Sequence, residues 1–269
     1  MRNDEWIVVR GGGDIATGAI QKLHRAGFKV LVLEIAEPTA IRRLVAVSEA
    51  IYDGKITVED FTAVRVRDLV DAYKAAEQGL IPVIVDPNCS ILPELKPDVV
   101  VDVIIAKRNT GMLRSMAPGT IGVGPGFFAG EDADIVIESM RGHDLGRLIF
   151  EGPAMPDTST PGLIGGYDKE RVVHSPAAGK ITNLSQLGDV VEAGQSIATV
   201  DGVPVRSPLT GVLRGLIRSG ITVTKGMKIA DVDPRKEEVE NSELISDKAR
   251  TIGGGVLEAV MILLNRNAG

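Results

Sequence analysis

The sequence predicts an α/β protein in which a mainly parallel sheet is followed by a small, separate β domain. In the first 168 residues, short apolar segments alternate with amphipathic ones, a pattern typical of parallel strands joined by right-handed helical crossovers. In the second half, residues 205–232 repeat residues 173–200 without a gap, at an offset of 32. We therefore expect one domain at residues 1–168 and a second at residues 171–233.

Five segments of the first domain are apolar enough to form buried parallel strands. Each is rich in β-branched or aliphatic residues and is followed by a glycine-containing or polar segment. The predicted strands are residues 6–10, 29–34, 62–66, 80–86 and 98–106. Helical periodicity predicts helices over residues 14–26 and 68–79.

The segment that joins the first strand to the first helix, RGGGDIA at residues 10–16, matches the glycine pattern G-x-G-x-x-A. Together with Glu34, about 20 residues later, it indicates a Rossmann-like dinucleotide site in which an acid binds a ribose diol. Ligands of parallel sheets bind beyond the carboxyl ends of the strands. The residues predicted on that rim are Gly11, Gly12, Gly13, Glu34, Asp86 and Lys107. A tight strand-to-helix turn without a ligand is the alternative.

Asp14 distinguishes this loop from an ordinary dinucleotide site. A carboxylate at a helix N-terminus is stabilised by the helix dipole, typically by ~0.3–1 kcal/mol. Asp14 therefore occupies the electrostatic position that a pyrophosphate would take. A phosphate bound there needs a cation beside it, or the ligand must offer a hydrogen-bond donor to the carboxylate instead.

Further glycines and basic residues extend the predicted site. Glycines at 124 and 126 allow close backbone approach, and basic side chains follow the strands in AKRNTG (106–111) and ESMRGHDLGR (138–147). Solvated loop charges are the alternative interpretation. The candidate cofactor-binding residues are Gly11, Gly12, Gly13, Asp14, Glu34, Lys107, Arg108, Gly124, Gly126, Arg141, His143 and Arg147. No catalytic residue and no metal ligand is assigned.

The internal repeat resembles the biotinyl/lipoyl-type barrel-sandwich domain. Of 28 aligned positions, 11 are identical, and they include the glycines, a proline and apolar residues. In carrier members of that type, the modified lysine lies on the hairpin between the halves. The corresponding hairpin, residues 201–204, contains no lysine, so we expect neither biotin nor lipoate. A docking or ligand-positioning role is predicted, with a purely stabilising role as the alternative.

Residues 236–269 are predicted to form a linker and a C-terminal helix that packs back on the first domain. Residues 235–243 are highly charged, and the following helix carries one broad apolar face at Val256, Leu257, Val260, Met261 and Leu264. The run Gly253–Gly255 is expected to open this helix and to offer free backbone amides. Close packing against another helix is the alternative.

The composition excludes several classes of protein. The net charge of −6 disfavours a general nucleic-acid surface, and no run of 18 apolar residues predicts a membrane span. The N-terminal sequence does not resemble a secretory signal, and the single cysteine, Cys89, excludes an internal disulfide, so we expect a cytoplasmic protein. A sulfur or selenium relay would need Cys89 to be exposed and reactive, whereas a buried, inert cysteine is more common.

Several segments together resemble a known family. RGGGDIATG, AKRNTG, GPGFFAGEDADIVIESMRGHDLGR, HSPAAGKI and SDKARTIGGGVLEAV are similar to the accessory proteins of selenium-dependent molybdenum hydroxylases (YqeB type). That family is related to the accessory factor that equips xanthine dehydrogenase with its molybdenum cofactor. The resemblance implies a Rossmann-like domain and a role in maturing a molybdenum hydroxylase, with the apoenzyme as partner. It transfers no catalytic residue and does not identify the chemical step.

The predicted site is compatible with a molybdopterin-type cofactor or a nucleotide. A carboxylate such as Asp14 or Glu34 could accept pterin N–H groups, while Lys107, Arg141 or Arg147 could pair with a phosphate. The sequence is also compatible with three alternatives: an NAD(P)-dependent oxidoreductase, a carrier-type protein, and an interaction module without catalysis.

Overall fold

The computed structural model describes residues 4–158 and 166–267, and in it the chain divides into two compact units. The first, here called the sheet unit, comprises Met1–Pro38, Ala46–Thr158 and Ile245–Gly269. The second, the repeat unit, comprises Thr39–Val45 and Ser159–Leu244. No helix within the described ranges has the length and apolar character that crossing a membrane requires.

The sheet unit is built on a nine-stranded sheet with the order β10-β9-β7-β6-β1-β2-β5-β4-β3. All pairs are parallel except the two at the edges, β9–β10 and β3–β4. The predicted mixed α/β fold with a mostly parallel sheet is therefore confirmed. The strands of this unit, including the separate pair β8–β11, are β1 (Trp6–Arg10), β2 (Lys29–Glu34), β3 (Lys55–Val58), β4 (Phe61–Arg65), β5 (Ile81–Val85), β6 (Val99–Asp102), β7 (Gly119–Val123), β8 (Phe128–Ala129), β9 (Ile135–Ile137), β10 (Leu148–Ile149) and β11 (Gly152–Pro153).

Five α-helices belong to the described part of this unit. They are α1 (Asp14–Arg25), α2 (Ala50–Asp53), α3 (Leu69–Glu77), α4 (Leu92–Leu95) and α5 (Asp247–Asn267). Helix α1 follows β1 and packs on β1 and β2, while α5 packs on β6, β7 and β9. The apolar residues of the central strands, such as Val8, Val9, Val100 and Val101, are fully buried because both sheet faces are covered.

Helices α1 and α5 pack against each other through glycine. A Cβ atom added to Gly18 would lie 2.3 Å from the carbonyl oxygen of Ala249, and one added to Gly253 would lie 2.4 Å from the carbonyl oxygen of Gly18. The two backbones are thus in direct contact, which only glycine permits at these positions. The crossing lies in the first two turns of both helices, so their N-termini lie at the same edge of the unit.

Two sequence-based predictions are wrong in detail. The strand predicted over residues 98–106 ends at Asp102, because the chain then turns away from the sheet, with Ile105 and Lys107 at φ +56° and +61°. The glycine run does not open the last helix, which begins at Asp247 after Ser246, whose hydroxyl accepts a hydrogen bond from the amide of Ala249. Gly253–Gly255 therefore lie inside the helix, where their amides are used by the helix itself.

The repeat unit consists of two four-stranded antiparallel sheets. Its strands are β12 (Val172–His174), β13 (Gly179–Asn183), β14 (Val190–Val191), β15 (Ser196–Val200), β16 (Val203–Arg206), β17 (Gly211–Leu216), β18 (Thr222–Val223) and β19 (Lys228–Asp233). The sheet orders are β12-β19-β17-β14 and β16-β15-β13-β18. Exchanging each strand for its counterpart 32 residues away converts one order into the other, so the topology has an internal two-fold pseudosymmetry. Residues 236–238 and 240–243, predicted as an exposed linker, form two short 3₁₀ turns.

Two neighbouring glycines of α5 provide a matched test of this helix packing. Gly253→Ala should lower the free energy of unfolding by about 1–3 kcal/mol, because the new methyl group meets the backbone of α1. Gly254→Ala has open space around its Cβ and should raise it by about 0.5–1 kcal/mol through better helix propensity. Urea unfolding of both variants measures the difference. Equal effects of the two substitutions would contradict the close crossing.

Candidate functional site

The candidate site lies at the carboxyl edge of the parallel sheet, around the end of β1. From β1 the chain continues to β2 on one side, whereas from β6 it continues to β7 on the other side. The connections that leave β1 and β6 therefore run in opposite directions, which is the arrangement that opens a ligand crevice in sheets of this kind. A Cβ atom on Gly11 would lie 3.1 Å from Cα of Ile104, so the two loops meet at the base of this crevice.

The backbone groups of the first two glycines of the loop form hydrogen bonds within the protein. The amide of Gly11 donates to the carbonyl of Leu33 (2.9 Å), and the amide of Gly12 donates to Oε2 of Glu34 (2.7 Å). The carbonyl of Gly12 accepts from the amide of Ser48 (2.8 Å). Gly11 and Gly12 are candidate cofactor-binding residues, but their amides have acceptors within the protein. Gly13, by contrast, has open space where a side chain would be.

Glu34 lies beside this loop, as the glycine pattern predicts, but its carboxylate holds protein amides. Oε2 accepts from Gly12 and Oε1 accepts from the amide of Ile35 (2.8 Å). Burial raises the pKa of Glu34, and the two amide bonds oppose that shift. Each oxygen retains a second lone pair, so Glu34 still has acceptor capacity toward a ligand.

A buried ion pair fixes the base of the crevice. Arg10 on β1 and Asp102 on β6 are register partners, and their side chains meet at 2.5 Å, almost completely shielded from solvent. Arg10 also donates to the carbonyl of Thr110 (3.2 Å), which anchors the AKRNTG loop. Burial raises the pKa of Asp102, while the guanidinium of Arg10 opposes that shift.

Cys89 lies near this ion pair, at a left-handed φ of +57°. The residue is buried, and burial raises the pKa of its thiol, with Arg10 opposing that shift. A buried thiol with a raised pKa is a poor nucleophile, so its environment does not favour a sulfur or selenium relay.

Hydrogen bonds of Asn109 close the loop after β6, and its two basic side chains, Lys107 and Arg108, are exposed. Asn109 accepts from the amides of Gly111 and Met112 and donates to Asp132 (2.9 Å), which closes the loop. Lys107 forms an ion pair with Asp157 at 2.8 Å. Exposed Arg108 has no ion-pair partner among the described residues.

The two predicted glycines that follow β7 are required for packing in this region. A Cβ atom on Gly126 would lie 2.3 Å from Cα of Arg108, and one on Gly124 would lie 2.6 Å from Oγ of Ser139. Both glycines also have positive φ angles, +100° and +83°. They therefore allow the loops after β6, β7 and β9 to lie against one another at the same sheet edge.

The segment after β9 is organised by a buried carboxylate, Glu138. Its Oε1 accepts from the amide of Met140 (2.6 Å), and its Oε2 accepts from the amide of Met155 (2.7 Å). Arg141 forms a two-point ion pair with Asp247 at the start of α5 (2.6 and 2.8 Å). The other two predicted basic residues do not link this segment to another element. Arg147 forms an ion pair with Asp144, three residues away, and His143 is exposed.

Lys248 is a residue of this site that the sequence did not reveal. It lies in the first turn of α5, next to Asp247, and is partly buried. Burial and the charge of Arg141 lower its pKa, whereas Asp14, Glu138 and Asp157 act in the opposite direction. Within the described part of the chain, its ammonium group has no direct hydrogen bond or ion pair. The structure therefore supplies a cation in the electrostatic field of Asp14, from a helix more than 230 residues away in sequence.

Apolar side chains border the same crevice. Ile35, directly after Glu34, is 43% exposed, and Ile104, beside Gly11, is 42% exposed. Exposed isoleucines next to a polar loop offer a surface for a planar ring. No sequence signal marked them, because each is one apolar residue in an apolar segment.

Comparison with known proteins identifies one close relative. The chain is 49% identical over 260 residues to the uncharacterized protein YqeB from Escherichia coli strain K12. The alignment covers 97% of this chain and 48% of the relative, so the chain spans about half the length of the curated relative that it matches. No family model matches the chain.

Similarity to solved structures is weak. The ectoine utilization protein EutE (DoeB) from Ruegeria pomeroyi is 13% identical, with 85% of each chain covered and a TM-score of 0.26. A succinylglutamate desuccinylase from Silicibacter sp. TM1040 is 14% identical, with 85% of this chain and 84% of that chain covered and a TM-score of 0.25. An aspartoacylase family protein from Mesorhizobium loti is 13% identical, with 85% of this chain and 84% of that chain covered and a TM-score of 0.25. Scores this low assign neither a fold family nor an activity to this chain.

The lowered pKa of Lys248 predicts a specific pH dependence of stability. A base whose pKa is lower in the folded protein makes stability rise with pH, over the interval between that lowered value and the ordinary 10.5. Lys248→Met should therefore raise the free energy of unfolding near neutral pH, and this advantage should shrink as the pH approaches 10.5. Urea unfolding across this range provides the measurement.

Lys74→Met, an exposed substitution on α3, controls for the loss of a helical lysine. If Lys248→Met and wild type have the same free energy of unfolding at every pH, the folded protein does not disfavour the charged form of Lys248.

Proposed function

We propose that this protein is a maturation factor for a molybdenum hydroxylase and that it binds a pterin or nucleotide cofactor at the crevice beyond β1 and β6. The observation that carries the proposal is the convergence of sequence segments that lie far apart in the chain. The segments RGGGDIATG, AKRNTG, GPGFFAGEDADIVIESMRGHDLGR and SDKARTIGGGVLEAV all contribute to one edge of the sheet unit. These are four of the five segments on which the resemblance to the molybdenum hydroxylase accessory proteins rests.

The composition of the crevice supports a ligand that has both a planar ring and an anionic group. Ile35 and Ile104 offer apolar surface, and Asp14 and Glu34 offer acceptors for ring N–H groups. Lys107 and Arg108 lie on the adjoining loop and carry positive charge. A pterin with a phosphate combines these features, as does a nucleotide.

A dinucleotide-dependent oxidoreductase is the second candidate. Glu34 lies beside the glycine loop, as the Rossmann pattern requires. Against this candidate, the amides of Gly11 and Gly12 already have internal acceptors, and Asp14 places a negative charge at the start of α1. A pyrophosphate bound in the usual way would lack donors and would face a carboxylate.

The repeat unit is proposed to be a barrel-sandwich domain of the biotinyl/lipoyl type that acts in docking. The support is its two-fold topology, in which each sheet takes two strands from each repeat. The turn between β15 and β16 consists of Asp201 and Gly202, and the hairpin over residues 201–204 contains no lysine to modify. A docking role requires no modification of this hairpin, whereas a carrier role requires a modified lysine there. An interaction module without catalysis is the remaining alternative for the chain.

Ligand binding to wild type and to Asp14→Asn discriminates the two candidates. If Asp14 accepts a hydrogen bond from a pterin or orients a cation, the substitution should weaken binding by about 1.5–3 kcal/mol. If instead a pyrophosphate sits at the helix N-terminus, removing the charge should tighten binding of NAD by about 0.3–1 kcal/mol. We expect weakening, measured by calorimetry with molybdopterin, its cytidine dinucleotide and NAD.

Glu77→Gln is the matched control, since this exposed residue ends α3 near the opposite edge of the sheet. Tighter NAD binding by Asp14→Asn, without binding of either pterin, would favour the oxidoreductase. Unchanged affinity for every ligand, with the circular dichroism spectrum preserved, would leave the glycine loop as a structural turn.

The maturation role itself predicts a defect in the target enzyme. A molybdenum hydroxylase produced in cells that lack this protein should contain less molybdenum than the same enzyme produced in its presence. Elemental analysis of the purified hydroxylase provides the measurement, and supplying Asp14→Asn should restore less metal than wild type. Full molybdenum content and activity without the protein would refute the role, even if a pterin binds.

A further inference from the structure

We propose that two copies of this chain associate through the outer edge of β10, the strand at one end of the nine-stranded sheet. The contact comprises residues 147–151, with the sequence RLIFE, here called the edge segment. Two edge segments pair antiparallel about a two-fold axis and join the two sheets into one. This inference concerns assembly and goes beyond the proposed cofactor role, on which it does not depend.

The first argument is the hydrogen-bonding pattern of β10. The strand pairs with β9 on one side, and within the described part of the chain no strand pairs with its other side. The amide of Glu138 donates to the carbonyl of Arg147 (2.9 Å), and Ile149 lies opposite Val136. Because backbone groups in an antiparallel pair alternate in direction, those of Ile149 face β9 and those of Leu148 face outward. The outward N–H and C=O of Leu148 can therefore pair with another strand.

The second argument is the apolar composition of this edge. Leu148 and Ile149 are each partly exposed, and Phe150, directly after them, is 55% exposed. The strand at the other end of the sheet, β3, begins with the exposed Lys55. A lysine on an edge strand disfavours pairing with a second sheet. β10 contains no charged residue and lacks this protection.

The third argument is charge, which identifies the second strand as another copy of this one. The edge segment begins with a cation, Arg147, and ends with an anion, Glu151. Antiparallel pairing centred on Ile149 places Arg147 opposite Glu151 of the second copy, and the two-fold axis repeats this pair at the other end. Opposite charges across an antiparallel pair are stabilising, and like charges are destabilising. In the same register, Leu148 lies opposite Phe150 of the second copy.

Both charged side chains are accessible to a second copy. Glu151 is exposed and has no ion pair among the described residues. Arg147 forms an ion pair with Asp144, three residues earlier, but its side chain is still 62% exposed. Exposed ion pairs contribute little to stability, so the exchange of Asp144 for Glu151 of a second copy costs little.

The size of the contact predicts a weak dimer. Five residues per copy bury much less area than a stable protein–protein interface does. Monomer and dimer should therefore exchange, with a dissociation constant between about 1 μM and about 1 mM.

Sedimentation equilibrium of the full chain over this concentration range measures the association. Glu151→Arg leaves the ion pair of Arg147 intact but places two arginines opposite each other at both ends. It should raise the dissociation constant by at least about tenfold, and Arg147→Glu should do the same. The double variant Arg147→Glu/Glu151→Arg restores opposite charges and should associate within about threefold of wild type.

Arg67→Glu is the matched control. Like Arg147→Glu, it reverses an exposed arginine that forms a local ion pair, in this case with Asp71. Arg67 follows β4, near the other end of the sheet, so its substitution should leave the dissociation constant unchanged.

Amide hydrogen exchange, measured by NMR, locates the contact. The outward amide of Leu148 should become protected as the protein concentration rises, in proportion to the fraction of dimer. The amide of Ile149 faces β9 and is the internal control, since its exchange should change little with concentration. In Glu151→Arg, the protection of Leu148 should be lost at concentrations where wild type is dimeric.

The outcomes are distinct. Loss of association in both single variants, its recovery in the double variant and protection of Leu148 support pairing of two edge segments. A chain that remains monomeric over the whole concentration range overturns the proposal. A dimer that is unaffected by charge reversal, or in which the amide of Leu148 stays unprotected, forms through another surface and overturns it as well.

Discussion

Helices α1 and α5 touch backbone to backbone at Gly18 and Gly253, and the geometry of the candidate site depends on this contact. Side chains between the helices would separate them by several ångströms. Because no side chain intervenes at this crossing, the first turn of α5 lies beside the glycine loop that follows β1. Asp247 then reaches Arg141, and Lys248 enters the field of Asp14. A second glycine contact has the same effect, because Gly255 lies close to the carbonyl of Gly146 in the loop after β9.

The charged groups of this edge divide into those that build it and those that remain available. The carboxylates of Glu34 and Glu138 each accept two backbone amides, and Asp102 neutralises the buried Arg10. Buried carboxylates with several donors are well satisfied and hold loops in one conformation. The basic side chains of Arg108 and Lys248 have no such direct partners among the described residues. The acids therefore hold the loops of this edge together, while the charges of Arg108 and Lys248 take no part in holding them.

The repeat unit illustrates a different constraint. A single repeat of about 28 residues is too small to bury its apolar side chains, so two copies must share one core. Each sheet contains two strands from each copy, in the same relative order. Ile181, Leu213 and Val200 are fully buried as a result. Because apolar, glycine and proline positions all recur at one offset, this sharing was already visible in the sequence.

The sequence by itself determined the parallel sheet, the glycine loop after β1 and the internal repeat, since these follow from local periodicity and from glycine spacing. It also placed Glu34 beside the loop, although it did not predict the hydrogen bond that Glu34 accepts from the amide of Gly12. Tertiary structure alone decided where β6 ends: the chain leaves the sheet after Asp102, and Arg10 holds the loop that follows through the carbonyl of Thr110. It alone decided that Gly253–Gly255 lie inside α5 and that Lys248 joins the site. The physical reason is that contacts between helices distant in sequence follow from packing, which no local pattern encodes.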